Sequence, residues 1–160
     1  MVAFSDVWRY FWKAETRYTV HSPFVFDLLE HVIDDKRTFY DFAALDRLRY
    51  LLRRNPQRLP VTDLGAGSKR GASKDRSIAE IAKAAVSPRW QAECLFRLID
   101  HLQLEHRLEM GTSLGLTTLY QYLPLRKAPL VTLEGCPNIT AVAQHYFKTF
   151  KTKLLGAIDL

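Results

Sequence analysis

Cysteine is scarce: Cys94 and Cys136 are the only 2 in 160 residues, far apart and outside any CxxC pattern. That excludes a disulfide scaffold and a thiol-based metal or redox motif, and it suits a reducing compartment. No stretch approaches the roughly 18 consecutive apolar residues that span a bilayer. The first ten residues, Met1 to Tyr10, lack a basic segment followed by an apolar run, so no signal peptide is expected. Histidine offers no metal set. His21, His31, His101, His106 and His145 are scattered, and His101 with His106 is an i,i+5 pair, which does not share a helix face. Neither sign of charge dominates: 23 basic against 17 acidic residues give +6. The basic runs Arg47, Arg49, Arg53, Arg54, Arg58 and Lys69, Arg70, Lys74, Arg76 read as solvated surface before they read as a nucleic-acid face. What remains, 48% hydrophobic and 25% charged, describes a globular chain long enough to bury a core in one compact unit. A cytoplasmic protein with no membrane partner is expected.

The N-terminal third reads as helix. Phe4, Val7, Trp8, Phe11 and Trp12 fall on one face at helical spacing. Ser22-Pro23 is a helix start, a side-chain cap followed by proline at the first helical position, and that helix is expected to end near Asp34-Asp35. His21 just outside it is a local packing partner or a residue of a site rim. A third helix is expected over Tyr40–Arg54, with Phe42, Leu45, Leu48, Leu51 and Leu52 inward and Arg47, Arg49, Arg53 and Arg54 outward, stopped by Asn55-Pro56.

Glycines come next, in Val61-Thr62-Asp63-Leu64-Gly65-Ala66-Gly67-Ser68. The stretch imitates a nucleotide loop, but such a loop needs a second strand ending in an acid about 20 residues on. Here a basic loop follows, then a helix carrying Ile78, Ile81, Ala82 and Ala85, with no strand expected before Pro88. Residues 63–75 are therefore a surface loop or a cationic lid. A further helix, Arg89–Gln103, should face Trp90, Leu95, Leu98, Ile99 and Leu102 inward, with Cys94 a plain core thiol.

The informative stretch comes after it. Arg107-Leu108-Glu109-Met110 reads as a strand ending in an acid, Gly111-Thr112-Ser113-Leu114-Gly115 as a turn, and Leu116 onward as a helix. A second strand, Leu130-Val131-Thr132-Leu133, runs into Glu134-Gly135-Cys136-Pro137. Strand, glycine turn, helix, strand, acid is the βαβ unit that grips an adenosine-type cofactor. Glu109 should point into the crevice, Gly111 and Gly115 should let backbone approach a ligand, and Thr112 and Ser113 should offer hydroxyls and backbone donors. Glu134 is placed for both ribose hydroxyls. An acid at Glu109 would repel a pyrophosphate, and the third glycine of GxGxxG is missing. A cationic sulfonium with an α-ammonium suits that acid instead.

These residues, Leu108 to Gly115 with Val131 to Glu134, resemble motifs I and II of class I S-adenosylmethionine-dependent methyltransferases over roughly residues 88 to 148. The lead-in helix containing Gln91 makes the chain look most like the O-methyltransferase branch. His21-Ser22-Pro23-Phe24 and the Asp63–Ser68 loop also look like features of a bacterial subgroup. The resemblance implies an α/β fold: a Rossmann-like core with a partial parallel sheet over residues 61–160, preceded by an N-terminal helical layer over 1–60. It implies S-adenosyl-L-methionine as cofactor, with Glu109, Gly111, Thr112, Ser113 and Gly115 at the methionine end. Glu134 and Gly135 would hold the ribose side, and Cys136 would lie near the adenine. It implies transfer to a small-molecule acceptor, with no catalytic residue named. The family's core has seven strands, whereas after Glu134 only Asn138–Lys151, a helix, and Leu154–Asp159, at most a strand, follow. A truncated or partner-completed core is expected, with a homodimer through the N-terminal helices or an open sheet edge.

Two other readings stay open. Gly111-Thr112-Ser113-Leu114-Gly115 also spells the G-x-S-x-G nucleophile elbow of α/β-hydrolases, with Ser113 as nucleophile. That fold takes an acid and then a histidine after the serine, whereas His145 precedes Asp159. The other is a non-catalytic cofactor-binding or interaction module.

Overall fold

A computed structural model describes residues 4–14, 19–62 and 75–154. The glycine cluster at Asp63–Ser68, most of the expected lid and nearly all of Leu154–Asp159 lie outside them. The chain divides into two units, Met1–Lys36 and Arg37–Leu160. This division by packing falls after Lys36 and is a different partition from the helical layer over 1–60 and core over 61–160 expected from the sequence. The helix Tyr40–Leu52 belongs to the second unit because Phe42, Leu45, Leu48 and Leu52 are buried in that unit's core.

The first unit holds α1 (Phe4–Lys13) and α2 (Pro23–Leu28), the latter running into a single π-helical turn, Leu29–Ile33. Ser22 caps α2 as its sequence suggests: its hydroxyl accepts the Val25 N–H at 3.4 Å, and Pro23 needs no donor there.

The second unit begins with α3 (Tyr40–Leu52). Two residues are on faces that the apolar count misassigns. Leu51 is exposed, and Arg49 is buried, its guanidinium donating to the Ser87 carbonyl at 2.6 Å. Then comes an unexpected hairpin. β1 (Arg58–Pro60) pairs antiparallel with β2 (Asp75–Ser77), so a strand does precede Pro88. The hairpin is held by charge as well as by its ladder, since Arg58 donates to the Asp75 carbonyl at 2.7 Å and pairs with its carboxylate at 3.4 Å. Ser77 ends β2 and starts α4 (Ile78–Ala85) through a capping box with Glu80, at 3.2 and 2.7 Å.

α5 (Arg89–Leu102) leads into β3 (Arg107–Met110). Its buried face is Ala92, Phe96 and Ile99, rotated from the expected one, and Trp90 is exposed. Cys94 is only half-buried. β3, α6 (Leu116–Tyr122), β4 (Leu130–Leu133) and α7 (Pro137–Leu154) complete the chain's βαβ unit. β3 and β4 pair in parallel, Glu109 opposite Thr132. One sheet face is covered: Arg107 and Glu109 bond residues of α6, and Leu130 and Thr132 are buried. The other face carries Leu108 (64% exposed), Met110 (82%), Val131 (53%) and Leu133 (53%). The architecture is α/β with a partial parallel sheet, dressed on one side.

Candidate functional site

The turn between β3 and α6 starts where the ladder runs out. Gly111 and Thr112 both donate to the Leu133 carbonyl, at 2.8 and 3.1 Å, which carries the chain across the top of β4. Two residues then adopt left-handed backbone, Ser113 at φ 49° and Gly115 at φ 79°. Serine pays for this conformation where glycine does not, and such strain persists only where neighbours fix it. Here the fixing group is Glu134, whose carboxylate accepts the Ser113 N–H at 2.8 Å and the Cys136 N–H at 3.0 Å. The acid at the end of β4 therefore clamps the turn at the end of β3.

This clamp changes what the turn can offer. The amides of Gly111, Thr112, Ser113 and Gly115 are all committed internally, the last to the Thr112 carbonyl at 2.9 Å. The Thr112 hydroxyl is buried against that of Thr132 at 2.5 Å. The backbone donors and the Thr112 hydroxyl expected for a ligand are thus spent on the fold. The Ser113 hydroxyl is buried and has no hydrogen-bond partner.

Glu109 lies at the foot of the same turn. Its carboxylate accepts from the Thr118 hydroxyl at 2.5 Å, the Gln121 amide at 2.6 Å and the Thr132 hydroxyl at 2.8 Å. Burial pushes its pKa above the usual carboxylate value, and the three hydrogen bonds pull the other way without cancelling it. No cation is paired with it among the described residues. Alternation along the paired strands places Glu109, Thr132 and Glu134 on the side of the sheet that α6 covers.

Two clefts flank the turn. One, of about 130 Å³, is lined by Glu109, Met110, Gly111, Thr112, Ser113 and the Ala85–Ser87 segment. The other, of about 310 Å³, is lined by Ser113, Glu134, Gly135 and Ile139 on one side and Val61, Thr62, Arg76, Ile81, Ala84 and Ala85 on the other. They share Ser113 and Ala85, so one acid serves each half of a groove that crosses the turn. Of the expected site residues, Glu109, Gly111, Thr112, Ser113, Glu134 and Gly135 meet here. Two do not line it. Gly115 lacks a side chain to admit the Phe147 ring, whose atoms would stand 2.6 and 2.7 Å from an added Cβ. Cys136 is buried with its thiol turned toward Pro60 and Thr62, accepting the Thr62 N–H at 3.4 Å.

The opposite wall is what the sequence concealed. Val61 and Thr62 follow the hairpin strand, Arg76 stands in β2, Ala84 and Ala85 end α4, and Val86 and Ser87 come just after it. The sequence marked pieces of that wall without joining them to the site: Val61-Thr62 in the stretch set aside as an imitation of a nucleotide loop, Ile81 and Ala85 on the helix after it, and Arg76 in a basic run. A larger groove of about 700 Å³ lies between α3 and α7, lined by Phe39, Leu48, Leu51, Tyr146 and Phe150 among others. Among the described residues its lining has no carboxylate, imidazole or thiol. The hydrolase geometry is absent among the described residues. With no partner on its hydroxyl, Ser113 has no imidazole base.

No protein-family model matches the chain, and no curated protein matches it. Among solved structures it is similar to the SAH-bound methyltransferase PaMTH1 of Podospora anserina, at 20% identity and a TM-score of 0.43. That similarity covers 80% of this chain and 52% of the other, so the chain spans about half its length.

Proposed function

We propose that the groove binds S-adenosyl-L-methionine and that the chain supports methyl transfer to a small-molecule acceptor. The observation that carries this is the clamped turn. A dinucleotide delivers a pyrophosphate to such a turn and needs its free N–H groups. Here four turn amides are taken, and carboxylates stand on both flanks. A ligand with a cationic amino-acid end and a neutral sugar diol suits that charge pattern; a diphosphate does not. Glu109 would set the field for the sulfonium and α-ammonium from behind the turn. Glu134 keeps acceptor capacity on both oxygens while holding Ser113 and Cys136, and it would take the ribose hydroxyls.

When bound, the cofactor supplies an electrophilic methyl group. Glu109 would hold its cationic end and Glu134 its ribose, leaving the methyl group for the acceptor. The protein's part is to position and to keep water out. An oxygen acceptor is supported by the resemblance of the Gln91-containing lead-in helix to the O-methyltransferase branch. The bare face formed by Leu108, Met110, Val131 and Leu133 favours a second reading, a cofactor-binding interaction module.

Calorimetric titration separates the readings. S-adenosylmethionine and S-adenosylhomocysteine should bind in the micromolar range and NAD should not, with binding lost in Glu134→Ala. Binding of NAD with no response to the other two would reverse the charge argument. Cofactor binding with no turnover of any catechol, phenol or carboxylic acid would leave the module.

A further inference from the structure

We propose that Arg76 forms one wall of the base site, its guanidinium lying flat against the adenine of the bound cofactor. This rests on the cofactor reading above. Arg76 is held in place by β2, opposite Leu59 of β1. Its neighbours are committed: Asp75 pairs with Arg58, and Ser77 caps α4. Glu80 lies within electrostatic reach of Arg76, but its carboxylate bonds the Ser77 N–H at 2.7 Å. Arg76 itself is half-buried, lines the Glu134 cleft and has no hydrogen-bond or ion-pair partner among the described residues. Among the described residues the half-buried guanidinium is therefore available to a ligand entering the cleft.

The rest of the cleft decides which ligand group. Val61, Ile81, Ala84, Ala85 and Ile139 make its walls apolar, and Glu134 supplies a carboxylate. An anionic group would enter against that carboxylate. A neutral heteroaromatic base fills an apolar slot, and it offers the planar cation a π-face. With Glu134 assigned to the ribose, the base attached to that ribose is the group that reaches Arg76. The hairpin β1–β2 thereby becomes part of the cofactor site.

The test is titration of S-adenosylhomocysteine and of adenosine into the intact chain, Arg76→Leu and Arg76→Lys, with melting temperature as the folding control. Stacking predicts roughly tenfold weaker binding of both ligands in Arg76→Leu, in line with a cation–π contact in a partly desolvated site. Arg76→Lys should recover only part of it, because an ammonium lacks the flat face. Unchanged affinity in Arg76→Leu overturns the proposal, as does full recovery in Arg76→Lys or a loss confined to S-adenosylhomocysteine. If the unaltered chain binds neither ligand, the cofactor reading itself fails, and that outcome is distinct from the others.

Discussion

Two charged residues of β3, Arg107 buried and Glu109 half-buried, are satisfied in opposite ways. Glu109 is satisfied by neutral donors, and burial still raises its pKa. The native state then holds the Glu109 proton more tightly than the unfolded chain does. Stability contributed by the protonated form is therefore present at acid pH and lost as pH rises from the ordinary carboxylate value through the raised one. Glu109→Gln removes that titration. Its melting temperature should fall less than the parent's between acid and neutral pH, as differential scanning calorimetry can show. Its affinity for S-adenosylmethionine should drop about ten- to hundredfold, the range of a lost charge-assisted contact. Arg107 has no carboxylate at all. Its guanidinium donates to the Gln121 carbonyl and, at 2.9 and 2.7 Å, to those of Leu125 and Ala128, closing the last turns after α6. Burial lowers its pKa. Arg107→Met strands those carbonyls and should cost roughly 2–4 kcal/mol in urea unfolding, with the cofactor site's chemistry untouched. Neither partnership was legible in the sequence. Both residues are bonded across 9 to 23 positions of chain, and the apolar pattern says only that they sit in a strand.

Among the elements, what the sequence shows well is what local chemistry dictates. β3, the glycine turn, α6, β4 and the proline start of α7 all stand where Glu109, Gly111, Gly115, Leu130–Leu133 and Pro137 put them. The hairpin β1–β2 was hidden, because its strands are only three residues each, Arg-Leu-Pro and Asp-Arg-Ser, and its pairing spans the glycine cluster. The rotation of α5 was hidden because Trp90 counts as apolar wherever it sits. Arg49 counts as polar, although α3 buries it on the Ser87 carbonyl. Gly115 joins the two kinds of information. Its place in the turn was legible, but its left-handed backbone and the Phe147 ring packed on it were not. Gly115→Ala should lose about 1–3 kcal/mol by overpacking, with backbone strain in addition. In a Phe147→Leu background the loss should shrink toward the strain alone, and a double-mutant cycle measures the difference.

Over the whole second unit, charge and apolar surface are unevenly used. Part of the basic excess works inside the fold, in Arg49, Arg107, and the Arg58–Asp75 and Arg126–Asp41 pairs, the latter at 2.7 Å. Meanwhile a parallel sheet, which buries both faces when complete, leaves Leu108, Met110, Val131 and Leu133 uncovered on one. That patch should drive concentration-dependent self-association. Val131→Lys with Leu133→Lys should abolish it in sedimentation velocity while leaving S-adenosylhomocysteine binding intact, since neither residue lines either cleft. No helix among the described residues is long and apolar enough to cross a membrane. The most direct measurement is an amide-resolved NMR titration of the isotope-labelled chain with S-adenosylhomocysteine. The expected result is saturable shifts concentrated at residues 109–114, 134–139 and 84–87 and at Arg76. Shifts confined to the groove between α3 and α7, or none at ligand concentrations far above micromolar, would contradict the assignment.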